Sequence, residues 1–251
     1  MPFVVQNPET WRRKVRRALL VGGPNTGKTT SLRTCTGGPA TCLSFPGEMG
    51  TTSIPLQTLD GHEITPRIWE GDCRGSAGAA AIRDLKAVTK NIIASKPHTL
   101  MGDGLHKLFP VFMDDVTFGA FSRGDEFDAK LWSKGTGTFL DYLHSIMNSE
   151  VPNVLFTIWQ GPEADSNTGA IDAGKKDRHV YPELPGKASS RIVGEFSLTL
   201  YCFREAGQFK WLTQPQGEIG GVGAKLPEAV LKRLPARVPQ HWADLMKVLE
   251  A

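Results

Sequence analysis

Residues 22 to 30 read GGPNTGKTT, which sets Gly22, Gly27, Lys28 and Thr29 at the spacing GxxxxGK[ST]. A turn this rich in glycine lets consecutive backbone N–H groups converge on a β-phosphate, with Gly23, Pro24, Asn25, Thr26 and Thr30 completing the cradle. The Lys28 ammonium would bridge the β- and γ-phosphates, and the Thr29 hydroxyl would ligate magnesium. This chemistry requires a strand before the turn and a helix after it. Ala18 to Val21 is a short apolar run ending at Gly22, and a helix is predicted to open at Gly27, adding the partial positive charge of its N-terminus.

A magnesium ion at Thr29 calls for a carboxylate at the end of a neighbouring strand. Asp103 follows the run HTLMG; Asp114 and Asp115 follow LFPVFM. The second run is more apolar, but it carries Pro110, which suits a central strand poorly. HTLMG directly follows a helical stretch, as a helix-to-strand crossover requires, and Asp103 is the preferred metal-site residue. Hydrolysis would also need a group that orients or deprotonates water. Glu48, just past the strand-like TCLSF, is placed to project over the γ-phosphate from a strand next to the phosphate loop. Gln160 closes the run VLFTIW, where an amide can hydrogen-bond the γ-phosphate and respond to its loss.

The elements that must position these residues are legible from periodicity. TCLSF (41–45), TPRIW (65–69), HTLMG (98–102) and VLFTIW (154–159) read as strands, the last continuously apolar as in a parallel strand covered on both faces. Residues 77–94 read as a helix with Leu85, Val88 and Ile92 on one face. Residues 110–135, rich in Gly, Asp and Phe, read as an irregular excursion, and Phe139, Leu143 and Ile146 or Met147 define a further helix. The alternation predicts an α/β fold with a doubly wound, mostly parallel sheet. Alternation in FSLTLYCF, then EAG and FKWLT, predicts a C-terminal antiparallel hairpin at the sheet edge. Pro227 and Pro239 mark helix starts, and Trp242, Leu245, Met246 and Leu249 form an apolar stripe that packs on the chain's own core. The chain divides into a basic lead-in (1–17), a nucleotide-binding core (18–225) and C-terminal helices (226–251).

The composition is that of an ordinary globular chain: 251 residues, 40% hydrophobic, 22% charged, net charge +3. No apolar run approaches a bilayer span and the N-terminal residues lack the pattern of a signal peptide, so a cytoplasmic location is expected. Cys35, Cys42, Cys73 and Cys202 form no metal-binding or disulfide pattern and are expected to be reduced thiols, mostly buried. Positive charge is local: RRKVRR at 12–17, and Lys175, Lys176, Arg178, Lys187 and Arg191 further on.

GGPNTGKTT, the strand followed by Glu48, the segment ending in Asp103 and VLFTIWQ ending in Gln160 together resemble the RecA-like ATPase core. The likeness is strongest to compact phage-type members that act in single-strand annealing or recombination. That resemblance implies ATP and magnesium as ligands, single-stranded DNA as partner, and a homo-oligomer in ring or filament form. It implies Glu48 as base, Gln160 as γ-phosphate sensor, and residues 161–190 as the DNA loop, with Lys175, Lys176 and Arg178 as its contacts. PELPGKASSRI is similar to the segment whose cation reaches the neighbouring subunit's nucleotide, which Lys187 and Arg191 match. Other readings compete. Asp72 and Gly75 give a GTPase-like DxxG, although no NKxD occurs; a small-molecule kinase could use the basic segment as a lid; and a subunit of a ring or virion assembly could use nucleotide to hold interfaces together.

Overall fold

The computed structural model describes residues 16–45, 54–71, 77–121, 129–162, 180–185, 188–216, 219, 222–225 and 228–250. Glu48, Asp72, Cys73, Gly75, Lys175, Lys176, Arg178 and Lys187 lie outside the described residues, as does most of RRKVRR.

The chain is an α/β structure built on one mostly parallel mixed sheet. Its strands are β1 (Arg17–Val21), β2 (Ala40–Ser44), β3 (Ile64–Ile68), β4 (Thr99–Asp103), β5 (Asn153–Ile158), β8 (Leu198–Glu205), β9 (Gln208–Leu212), β10 (Gly223–Ala224) and β11 (Arg237–Pro239). Their order across the sheet is β11-β9-β8-β1-β5-β4-β2-β3, with β10 paired to β8. From β8 to β3 every neighbouring pair is parallel, whereas β9, β10 and β11 run antiparallel to their partners. β1, β2, β4 and β5 are buried along their whole length, which explains why their sequences are apolar without alternation. β3 is an edge strand, half-buried at Thr65 and exposed from Pro66 on. A separate ribbon pairs β6 (Gln160–Pro162) with β7 (Val180–Pro182).

Helices cover both faces. On one side lie α1 (Gly78–Ala94), α2 (Leu105–Phe121), α3 (Ala129–Met147) and α4 (Ala188–Val193), whose apolar residues join Leu19, Val21, Leu43, Phe156 and Ile158 in one core. On the other lie a short 3-10 turn (Thr30–Thr34), α5 (Glu228–Leu231) and α6 (Trp242–Glu250), packed on Ala18, Leu20, Cys42, Leu155 and Leu200. The stripe Trp242, Leu245, Met246 and Leu249 is buried in this second core. Cys35, Cys42 and Cys202 are free thiols, all buried.

Several expectations need correction. Residues 110–135 are not an irregular excursion: α2 and α3 account for all of the described part. Pro110 sits inside α2, and its lost hydrogen bond is offset by an aromatic seam in which Phe109 and Phe112 meet Phe139 at 5.2 and 5.7 Å and Phe112 meets Tyr142 at 5.6 Å. Asp114 and Asp115 lie on this helix and not at a strand end, in line with the preference for Asp103 over them. β2 is not next to the phosphate-loop strand, because β4 and β5 stand between them. The hairpin β8–β9 is not the sheet edge, since β11 pairs outside β9; Pro239 ends that strand, and α6 begins three residues later.

Candidate functional site

The stretch from Gly22 to Thr29 leaves the carboxyl end of β1 as a tight turn. Two residues adopt left-handed backbone, Asn25 at φ 57° and Gly27 at φ 84°, and they curl the chain back on itself. The Thr26 hydroxyl donates to the Gly23 carbonyl at 2.8 Å and fixes the curl internally. Gly22 cannot carry a side chain, because a Cβ there would stand 2.6 Å from the Cys202 carbonyl of β8. Pro24 and Asn25 are exposed at the tip. Lys28 is buried and turns inward, its Nζ donating to the carbonyls of Gly22 at 2.8 Å and Gly23 at 2.6 Å. Burial pushes the Cys202 thiol up to about 12, with the Lys28 charge working against that rise.

The predicted helix at Gly27 does not form there. Ser31 N donates to the Gly27 carbonyl at 2.9 Å, and from Thr30 the chain makes only a 3-10 turn of five residues. Thr30, exposed, back-bonds to Gly27 at 3.0 Å. So short a turn carries little macrodipole, and attraction for phosphate here would rest on the turn's own amides and Lys28.

Asp103, buried at the end of β4, receives the Thr29 hydroxyl at 3.1 and 3.2 Å to its two oxygens. Thr157 of β5 also donates to Asp103, and its own hydroxyl accepts from the Gly104 N–H at 2.9 Å. One relay of hydroxyls thus crosses β4, β5 and the phosphate turn. Nothing in the pattern of VLFTIW singled out Thr157; a polar residue inside a continuously apolar strand is the signal that was available. Among the described residues, no group of three His, Cys, Asp or Glu side chains could hold a metal alone. Thr29 and Asp103 fit a magnesium ion that takes its remaining ligands from water and phosphate.

Gln160, the first residue of β6, is exposed at the end of β5. Its amide lies 3.8 Å from where a Cβ on Gly23 would stand, so it borders the phosphate turn. Its Oε1 accepts from the Tyr201 hydroxyl of β8 at 2.5 Å. The segment thought to be one long loop from 161 to 190 is instead clasped at its base by β6 and β7, and Arg191 is exposed on α4. Trp159, also exposed, stands beside this base; its ring stacks on His106 at 4.8 Å, with the Lys107 ammonium 5.5 Å from its centroid. Ser44 is in register with Asp103, so the segment leading to Glu48 departs from the same carboxyl edge as the site.

One contributor lies far off in sequence. Gln240, buried just beyond β11, donates from Nε2 to the carbonyls of Thr26 at 2.8 Å and Lys210 at 3.0 Å. Its Oε1, together with Phe209, occupies the space that a Cβ on Gly27 would need, at 2.6 and 2.8 Å. The Gly22–Thr29 turn is thereby pinned to the hairpin β8–β9. Replacing Gln240 with alanine removes two hydrogen bonds worth about 1 kcal/mol each. If the turn holds ATP, two such bonds together correspond to a fall in affinity of up to about 30-fold, measured by titration with a fluorescent ATP analogue; unchanged affinity would show the pin to be irrelevant to the turn.

Compared with known proteins, the chain matches no protein-family model and no curated sequence. Among the described residues, no helix is long and apolar enough to cross a membrane.

Proposed function

We propose that the chain is a magnesium-dependent ATPase of the RecA-like type that binds single-stranded DNA and works as a homo-oligomer in the cytoplasm. The observation that carries the nucleotide part is the meeting of Thr29 and Asp103 beneath a turn whose centre holds Lys28. Strand order supports the RecA-like type, because β5 is inserted between the phosphate-turn strand and the strand that ends in Asp103.

In this reading the backbone N–H groups between Gly22 and Thr30, Pro24 having none, wrap the β-phosphate, and Lys28 leaves the two loop carbonyls to pair with β- and γ-oxygens. Thr29 and Asp103 would hold magnesium, which supplies charge neutralisation at the transferring phosphate when bound. Glu48 would draw the proton from the attacking water. The Gln160 amide would donate to the γ-phosphate, and loss of that oxygen on hydrolysis would release the base of the β6–β7 ribbon. The ribbon bounds the segment that contains Lys175, Lys176 and Arg178, the proposed contacts to strand phosphates. Arg191, exposed on α4, and Lys187 would reach a neighbouring subunit's nucleotide.

The DNA part is tested by titrating a labelled oligonucleotide against salt with the wild type and a Lys175→Ala, Lys176→Ala, Arg178→Ala variant. Removing three phosphate contacts should flatten the log–log salt slope by about 2. Affinity at low salt should drop at least tenfold, while ATP turnover without DNA stays within about twofold, since single-strand binding is dominated by such contacts. An unchanged slope would remove these residues from the DNA interface.

A further inference from the structure

We infer that Tyr201 is a positioning residue that fixes which end of the Gln160 amide faces the phosphate turn; this rests on the reading of Gln160 as γ-phosphate sensor. β1 lies between β5 and β8, and its last residue, Val21, is in register with Ile158 on one side and Tyr201 on the other. Gln160 and Tyr201 therefore reach towards each other across the point where the chain turns into Gly22, and they join through the phenol. An exposed glutamine has many rotamers and two amide ends of opposite polarity. Only the N–H end suits a phosphate oxygen; the carbonyl end would repel it.

The Tyr201 hydroxyl settles this choice. Burial raises its pKa above the ordinary phenol value, so it remains protonated and able to donate. With Oε1 taken by the phenol, Nε2 is the end presented to Gly23, whose carbonyl holds Lys28. The ring itself is steadied by β8 and by Phe203, whose ring lies nearly parallel with centroids 6.4 Å apart. The sensor is thus mounted on the hairpin strand as well as on β5, and the phenol acts through Gln160 without touching nucleotide.

The test is a double-mutant cycle on ATP turnover with Tyr201→Phe, Gln160→Ala and the pair. Tyr201→Phe keeps the ring, and its melting temperature should stay close to wild type. The expected result is a roughly five- to tenfold fall in kcat, the scale of one neutral hydrogen bond, with KM for ATP nearly unchanged. In the Gln160→Ala background the tyrosine change should have no further effect. A merely structural role would lower both backgrounds equally, and equal losses, or full activity of Tyr201→Phe, would overturn the inference while leaving the sensor standing. Wild-type activity in Gln160→Ala would overturn the sensor reading and this inference together.

Discussion

Replacing Lys28 with alanine should raise the dissociation constant for ATP by at least ~100-fold, a loss of about 3 kcal/mol. The ammonium sits at the centre of the turn, held by the carbonyls of Gly22 and Gly23, within reach of whatever the surrounding amides enclose. Two unit charges 4 Å apart in a partly buried setting interact by about 4 kcal/mol, so one lost contact to a polyphosphate accounts for the expected effect. The Gly22 carbonyl it leaves is buried, so a loss of stability of about 1–3 kcal/mol should accompany the change, read in a thermal melt. Titration with a fluorescent ATP analogue in magnesium measures this. A change below threefold would mean that the turn does not hold phosphate.

Asp103→Asn should act on the metal, not on the nucleotide. The carboxylate accepts from Thr29 and Thr157 at once, and an amide of the same size can accept at only one of its two ends. Binding of ATP in the presence of EDTA should therefore be retained, while the gain in affinity on adding magnesium is lost. Turnover should fall by at least ~100-fold, since the metal's charge stabilisation is worth several kcal/mol. Some loss of stability should accompany it, about 1–3 kcal/mol for a buried charged acceptor. ATP titrations with magnesium and with EDTA, together with thermal melts, separate these effects. Full magnesium dependence in the variant would move the metal carboxylate elsewhere.

Much of the sheet was legible because its strands are uniform: RALLV, TLMGD and NVLFTI are buried on both faces and read as apolar runs. Pro110 correctly spoke against a strand before Asp114, but the same residue, with Gly135 and Gly137 nearby, hid two helices. Their stability comes from tertiary contact. Gly135 lets α3 approach until a Cβ would stand 2.5 Å from the Met113 sulfur, a fit that local composition cannot announce. At the candidate site, spacing alone pointed to Lys28 and Thr29, and the order of helix and strand favoured Asp103. Gln240 was invisible because it meets Thr26 from 214 residues away. Tyr201 was hidden for a related reason: strand order, which places β8 beside β1, decides that its phenol meets Gln160.

The most direct test of the central claim is release of phosphate from ATP by the purified chain in magnesium, with and without single-stranded DNA. The account predicts slow turnover alone and at least ~10-fold faster turnover with DNA, abolished by Lys28→Ala and lost as salt strips the strand from the protein. No phosphate release above that of the Lys28→Ala variant, with or without DNA, would contradict it.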